Sequence, residues 1–197
     1  MPTKTNNKQI GLFFGSFNPI HIGHLILANY IIENTPLKEI WFFVSPQNPF
    51  KEKSSLLPEI HRYAIVERAI ENDDRFRVSN IEFKLSKPSY TIDTLVHLKE
   101  KHPELEFSLI IGQDNLSTLH KWKNAETLVD SYKIYVYPRP NSLLGKFDEH
   151  PNIQLVNAPQ MDISSTYIRS AIHQKKDIRW FLPEKAWQYI SEMNFYR

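Results

Sequence analysis

The chain has 197 residues, enough for one domain with a sizeable buried core. Hydrophobic residues make up 41% and charged residues 23%, the balance of an ordinary globular protein, which excludes disordered and collagen-like chains. The 24 basic against 22 acidic residues leave a charge of only +2, too little to predict a nucleic-acid partner, and the lack of cysteine excludes disulfides, thiolate zinc sites and cysteine nucleophiles.

Met1 to Gln9 are polar and lead into no long apolar core with a small-residue cleavage site, so they do not read as a signal peptide. Ile10 to Phe14 is a short apolar run that predicts a strand buried on both faces, broken at Gly15 and Ser16. Asn18 and Pro19 set up a turn, and a helix is expected from about Ile22, with apolar residues at spacings of three and four over Leu25 to Ile32. A second strand is predicted at Ile40 to Val44; such runs are far too short to span a membrane, and a soluble, cytoplasmic protein without a membrane partner is expected. The proline-containing stretch Ser45 to Leu57 reads as a long irregular loop, of the length that is usually functional.

Amphipathic spacing then predicts helices over Glu59 to Ile70, Thr91 to Lys101 and Ala125 to Asp130, with strands at Phe107 to Ile111 and Tyr132 to Tyr137. A second irregular stretch covers Pro138 to Pro151. Ile163-Ser164-Ser165-Thr166 introduces a helix through His173, and Pro183 opens another through Ile190, so residues from about 163 to 197 form a helical C-terminal part. Strand and helix alternate. The expectation is a single α/β domain over 1–197, a Rossmann-like doubly wound, mainly parallel sheet with helices on both faces and ligands at the carboxyl ends of its strands.

The chemistry concentrates after the first strand. At Gly15 and Ser16 backbone can approach a ligand closely, and bare amides can meet phosphate oxygens. His21 and His24 stand three apart at the start of the following helix, where its positive end favours anions and each imidazole can donate to a phosphate oxygen. Gly23 between them leaves room for a nucleotide to lie flat on the helix start. Two surface histidines on a capped helix, or a zinc site, are the rival readings; zinc lacks a third ligand here, and no metal site is assigned. Near the other end, hydroxyls at Ser165 and Thr166 and the guanidinium of Arg169 one turn later can make a second polyphosphate clamp, though an ordinary cap with an exposed arginine fits as well.

Gly-Ser-Phe-Asn-Pro-Ile-His-Ile-Gly-His over residues 15–24 resembles the signature of the nucleotidyltransferase superfamily, and Ile163-Ser164-Ser165-Thr166 with Arg169 resembles its I-S-S-T-x-x-R element. The His21-Ile-Gly-His24 tetrapeptide also matches class I aminoacyl-tRNA synthetases, but those are much longer and carry a Lys-Met-Ser-Lys-Ser element missing here. Three further stretches are similar to nicotinate mononucleotide adenylyltransferases: Pro46 to Lys51, Pro88-Ser89-Tyr90-Thr91-Ile92-Asp93-Thr94-Leu95, and Ile111-Gly112-Gln113-Asp114-Asn115-Leu116 followed by Trp122. The chain departs from that pattern at Phe14, Asn18, Phe50, Lys84-Leu85 and Arg139-Pro140-Asn141.

The resemblance implies transfer of AMP from ATP to nicotinate mononucleotide, giving nicotinate adenine dinucleotide and pyrophosphate in NAD biosynthesis, with Mg2+ accompanying ATP. Gly15, Ser16, Phe17, His21, Gly23, His24, Gly112, Asp114, Ser165, Thr166 and Arg169 would bind ATP, with His21, His24 and Arg169 catalytic. Asn18, Lys51, Ser89, Tyr90, Thr91 and Trp122 would bind the mononucleotide, Trp122 by stacking on the pyridine. From the residues themselves, Ser89 and Thr91 are expected to cap the helix that follows, and a solvated turn is the rival reading of Asp114. The alternatives are nicotinamide mononucleotide or phosphopantetheine as acceptor, CTP with an alcohol phosphate, or an ATP-binding sensor without turnover.

Overall fold

Six strands form one sheet among the described residues, 7–45, 56–84, 89–140 and 142–197 of a computed structural model. They are β1 (Lys8–Gly15), β2 (Glu39–Val44), β3 (Phe76–Ser79), β4 (Leu105–Gly112), β5 (Lys133–Tyr137) and β6 (Ile153–Leu155). Their order is β3-β2-β1-β4-β5-β6, and each neighbouring pair is parallel. Parallel neighbours need crossovers, and these are largely helical: α1 (Ile22–Asn34), α2 (Glu59–Ile70), α3 (Thr91–Lys101), α4 (Gln113–Thr118) and α5 (Ala125–Ser131), with α6 (Ser165–His173) and α7 (Glu184–Glu192) after the last strand.

Strand side chains alternate between two cores. Ile10, Leu12, Phe43, Leu109, Ile111, Ile134 and Val136 pack with Leu95 and Leu98 of α3 and Leu128 of α5. Their neighbours Phe13, Phe42, Val44, Ile110 and Tyr135 face the other way, onto Ile31 of α1, Ile65 of α2, Ile168 of α6 and Ala186 of α7. A period of two with both faces covered is why these strands read as continuous apolar runs. The C-terminal helices share the sheet's own core. Among the described residues no helix is long and apolar enough to cross a membrane.

The doubly wound, parallel expectation holds, and α2 and α3 occupy the residues their spacing predicts. Two strands escape the sequence pattern. β3 and β6 are sheet edges of four and three residues, mostly half-buried or exposed, so neither carries an apolar run. α4 is also unforeseen: a short helix starting directly after β4, at a stretch around Asp114 for which the sequence predicts no helix.

From β1 the chain winds outward through β2 and β3, then crosses to β4 on the other side of β1. The gap beyond the carboxyl ends of β1 and β4, at Gly15 and Gly112, is therefore the topological switch point where ligands bind in such sheets.

Candidate active site

The turn after β1 is built from buried groups. Phe17 has a φ of 41° and is 2% exposed, its ring lying across Gly15 so that a Cβ there would sit 2.8 Å from its Cζ. The left-handed backbone costs on the order of 1–3 kcal/mol and is held by packing on Phe13 and Phe42, with ring centroids 5.6 Å away in each case. Phe17 thus spends its side chain on the core and can offer a ligand little but backbone. Asn18, joined to Pro19 by a cis peptide, is 3% exposed; its Oδ1 accepts from the Leu57 amide at 3.3 Å and the Tyr196 hydroxyl at 2.9 Å.

His21 is the N-cap of α1, and its backbone N–H donates to Nδ1 of His24 at 3.2 Å. Since that nitrogen accepts, a neutral His24 carries its proton on Nε2, which makes Nε2–H a donor. The two rings are tilted by 35° with centroids 3.8 Å apart. His24 leans with its edge on Phe17, 5.2 Å away. His21 is 6% exposed, and burial, with the Arg139 charge adding to it, pushes its pKa down to about 4. Its imidazole is therefore neutral at physiological pH. The missing side chain of Gly23 also makes room for the histidine ring: a Cβ there would come 3.1 Å from His21 Nδ1.

The second expected clamp meets the first. Ser164 caps α6, its hydroxyl accepting from the Tyr167 amide at 3.1 Å. Ser165 is thereby released, and its Oγ donates to the Pro19 carbonyl at 2.9 Å, across 146 positions of sequence. Arg169 donates through Nη1 to the Asn18 carbonyl at 2.8 Å and through Nη2 to Thr166 Oγ1 at 3.4 Å. The guanidinium and the histidine pair therefore flank one turn.

At the end of β4, Gly112 lets Asp114 fold back: a Cβ on Gly112 would fall 2.3 Å from Asp114 Oδ1. Asp114 is exposed, with Arg139 Nε 3.9 Å from Oδ1. Arg139, just past β5, is the cation whose charge bears on His21, so it belongs to the same end of the sheet. It also donates to the Tyr137 hydroxyl at 3.3 Å.

The capping expected of Ser89 and Thr91 is not found. Tyr90 is the N-cap of α3 and no side-chain cap bond forms. Thr94 donates its hydroxyl to Oε1 of the buried Glu82 at 3.2 Å, and burial raises the pKa of that carboxyl, against the pull of the neighbouring Ser45, Thr94 and Ser89 hydroxyls. Tyr90 is 42% exposed and has the Lys123 ammonium 4.9 Å from its ring centroid. Trp122 is half-buried against the core that contains Leu128. Lys51 lies outside the described residues.

Arg62 was missed. It is fully buried and donates to the carbonyls of Leu57 at 2.8 Å, Ser16 at 2.6 Å and Ser45 at 2.9 Å, tying the ends of β1 and β2 together. On an amphipathic helix an arginine reads as solvent-facing; only the tertiary fold turns it inward. Arg139 was seen merely as part of a loop signature, although a cation just past a parallel strand is a usable signal. A cavity of about 550 Å³ lies elsewhere, lined by Trp41, Arg77, Ser79, His97, Lys101 and His102 from the β2–β3 edge and the end of α3. It contains none of the expected residues.

Residues 12–171 match the model of the family described as cytidylyltransferase-like. A protein of Christiangramia forsetii named as a probable nicotinate-nucleotide adenylyltransferase is 51% identical, over 97% of this chain and 100% of its own length. A protein of the same name from Bacteroides thetaiotaomicron is 46% identical over 96% of this chain and 94% of its own length. The solved nicotinic acid mononucleotide adenylyltransferase of Plasmodium falciparum, complexed with NaAD, shares the fold at a TM-score of 0.78 and 23% identity, covering 96% of this chain and 97% of that one. The chain belongs to the cytidylyltransferase-like family and, within it, to the nicotinate-nucleotide adenylyltransferases.

Proposed function

We propose that the protein transfers the adenylyl group of ATP to nicotinate mononucleotide, forming nicotinate adenine dinucleotide and releasing pyrophosphate in NAD biosynthesis. A phosphate oxygen of the mononucleotide attacks the α-phosphorus of ATP. The bond from that phosphorus to the oxygen bridging to the β-phosphate breaks, and its electron pair leaves with pyrophosphate. No protein nucleophile takes part. Positioning two anions for attack supplies about 7 to 11 kcal/mol of barrier reduction, and fixed donors stabilise the charge that shifts onto phosphate oxygens.

The observation that supports this reading best is the pair of bonds from Ser165 and Arg169 to the Pro19 and Asn18 carbonyls, beside His21 and His24. The donor set suits a triphosphate: the His24 Nε2–H, the start of α1 and a guanidinium able to bind two oxygens. We assign ATP to the residues at Gly15–Ser16, His21, Gly23, His24, Gly112, Asp114, Ser165, Thr166 and Arg169, and add Arg139. The mononucleotide then lies toward Ser89, Tyr90, Thr91 and Trp122, while Arg62 ties the phosphate turn at Ser16 to the end of β2 at Ser45. Among the described residues no group of three or more His, Asp or Glu side chains is placed to hold a metal ion. Magnesium would accompany ATP and neutralise part of its phosphate charge.

Pyrophosphate release by the purified protein, measured with ATP and either nicotinate or nicotinamide mononucleotide, tests the proposal. Release with the acid at a kcat/KM well above that with the amide is expected; no release with either defeats it.

A further inference from the structure

The last residues of the chain reach the phosphate turn as well. After α7 the backbone turns at Asn194 and Tyr196, with φ of 54° and 67°. Phe195 packs on His61 of α2 and Tyr189 of α7, with ring centroids 4.8 and 5.8 Å away. Anchored in this way, Tyr196 donates its hydroxyl to Oδ1 of Asn18 at 2.9 Å. Asn18 is then a junction. Its side-chain oxygen receives Tyr196 and the Leu57 amide, while its main-chain carbonyl receives Arg169 at 2.8 Å.

From this geometry we infer that Tyr196 is a positioning residue for Arg169: by fixing the Asn18 carboxamide it sets the direction of the Asn18 carbonyl that holds the guanidinium. A phenylalanine would fill the same space and bury more cheaply, since a buried hydroxyl must recover its lost hydration in a hydrogen bond. Oδ1 of Asn18 can only accept, so the tyrosine must be the donor. Burial keeps its phenol protonated, against the pull of the Arg169 and Arg62 charges. The bond acts on the site and not only on the fold because its acceptor belongs to the same residue as the carbonyl that Arg169 grips. A guanidinium free to swing would have to be reordered each time a triphosphate bound.

The inference rests on the reading of Arg169 as a ligand of the ATP phosphates. Its test compares Tyr196→Phe with the parent protein in pyrophosphate release at saturating nicotinate mononucleotide, alongside melting temperatures. A loss in kcat/KM for ATP of roughly 5- to 10-fold per folded enzyme is expected, the size of one neutral hydrogen bond. Combined with Arg169→Lys, the phenylalanine should cost little more, because its effect travels through the residue already changed. Asn18→Ala removes the acceptor from the opposite side and should likewise make Tyr196→Phe nearly silent. Parental kcat/KM in folded Tyr196→Phe, or losses that simply multiply in both double variants, overturns the inference. A parent protein that releases no pyrophosphate would count against the proposed activity instead.

Discussion

Arg169 Nη1 lies 2.8 Å from the main-chain oxygen of Asn18, so the second phosphate-binding element is bonded to the first, 151 positions away in sequence. Two N–H groups of the guanidinium are committed to the protein, one to the Asn18 carbonyl and one to Thr166 Oγ1, which orients the fork without using up its five donors. A lysine has the charge but not the fork, and cannot hold the Asn18 carbonyl and two phosphate oxygens together. Hydrogen bonds to charged groups contribute about 1.5 to 3 kcal/mol, so Arg169→Lys should lower kcat/KM for ATP roughly 10- to 100-fold. Melting temperature should move little. Parental kinetics in Arg169→Lys would show that the guanidinium serves only the turn.

The histidines should separate by role. His24 presents Nε2–H, because its Nδ1 is occupied by the His21 amide, and it is partly exposed. His21 is buried. His24→Ala is expected to lower turnover strongly with the protein still folded, and His21→Ala to do so to a similar or lesser degree while also lowering stability. Steady-state rates and thermal melts of the two variants check this; a folded double variant with parental turnover would remove both from the chemistry.

His21 also predicts how stability depends on pH. Its folded-state pKa of about 4 lies below the ordinary 6.5, so between those values the unfolded chain takes up a proton that the folded one refuses. Stability from this residue is whole above pH 6.5 and drains as the pH falls toward about 4, by about 3 kcal/mol in all. His21→Asn lacks the titration. Denaturant unfolding of both proteins from pH 7.5 to 4 should show the parent losing ground to the variant as acid is added; a constant difference would contradict it.

Sequence reveals the sheet where hydrophobic burial dictates it, and misses what only tertiary contact creates. Glu59–Ile70 and Thr91–Lys101 were legible because one apolar stripe faces the core; Phe76–Ser79 and Ile153–Leu155 were not, because an edge strand buries too little to leave a pattern. In the site, the motifs identified His21, His24, Ser165 and Arg169 by residue type and spacing. They did not distinguish the serine that caps α6, Ser164, from the one that reaches Pro19, Ser165. Nor could they tell that Thr94 donates to a buried Glu82, since only the tertiary fold brings the two together.

Arg62 should be the costliest side chain to remove. Three carbonyls, of Ser16, Ser45 and Leu57, converge on a guanidinium that no solvent reaches. Arg62→Leu fills much of the space but leaves those oxygens without their donor, at about 1 to 3 kcal/mol for each unsatisfied group, less what is recovered by no longer burying a charge. A fall in melting temperature on the order of 10 °C is expected for a chain of this size. Arg62→Lys should recover only part of it, one ammonium being unable to span three acceptors in the plane of the fork. A drop of a degree or two for the leucine variant would mean that the carbonyls find other donors.

Gly15→Ala tests whether the turn after β1 is a packed scaffold for the histidines. The new methyl carbon would sit 2.8 to 3.1 Å from three atoms of the Phe17 ring, closer than carbon atoms tolerate. The ring cannot simply yield, since Phe13 and Phe42 hold it and His24 leans on it at 5.2 Å. Overpacking of this kind costs about 1 to 3 kcal/mol. Part of that strain should reach His24 as a displaced ring, so kcat/KM for ATP should fall at least tenfold while the sheet, with its strand register intact, stays folded. Circular dichroism and pyrophosphate release distinguish the outcomes: full activity with a lowered melting temperature would mean that Phe17 relaxes away from His24 and that the turn does not control the histidine.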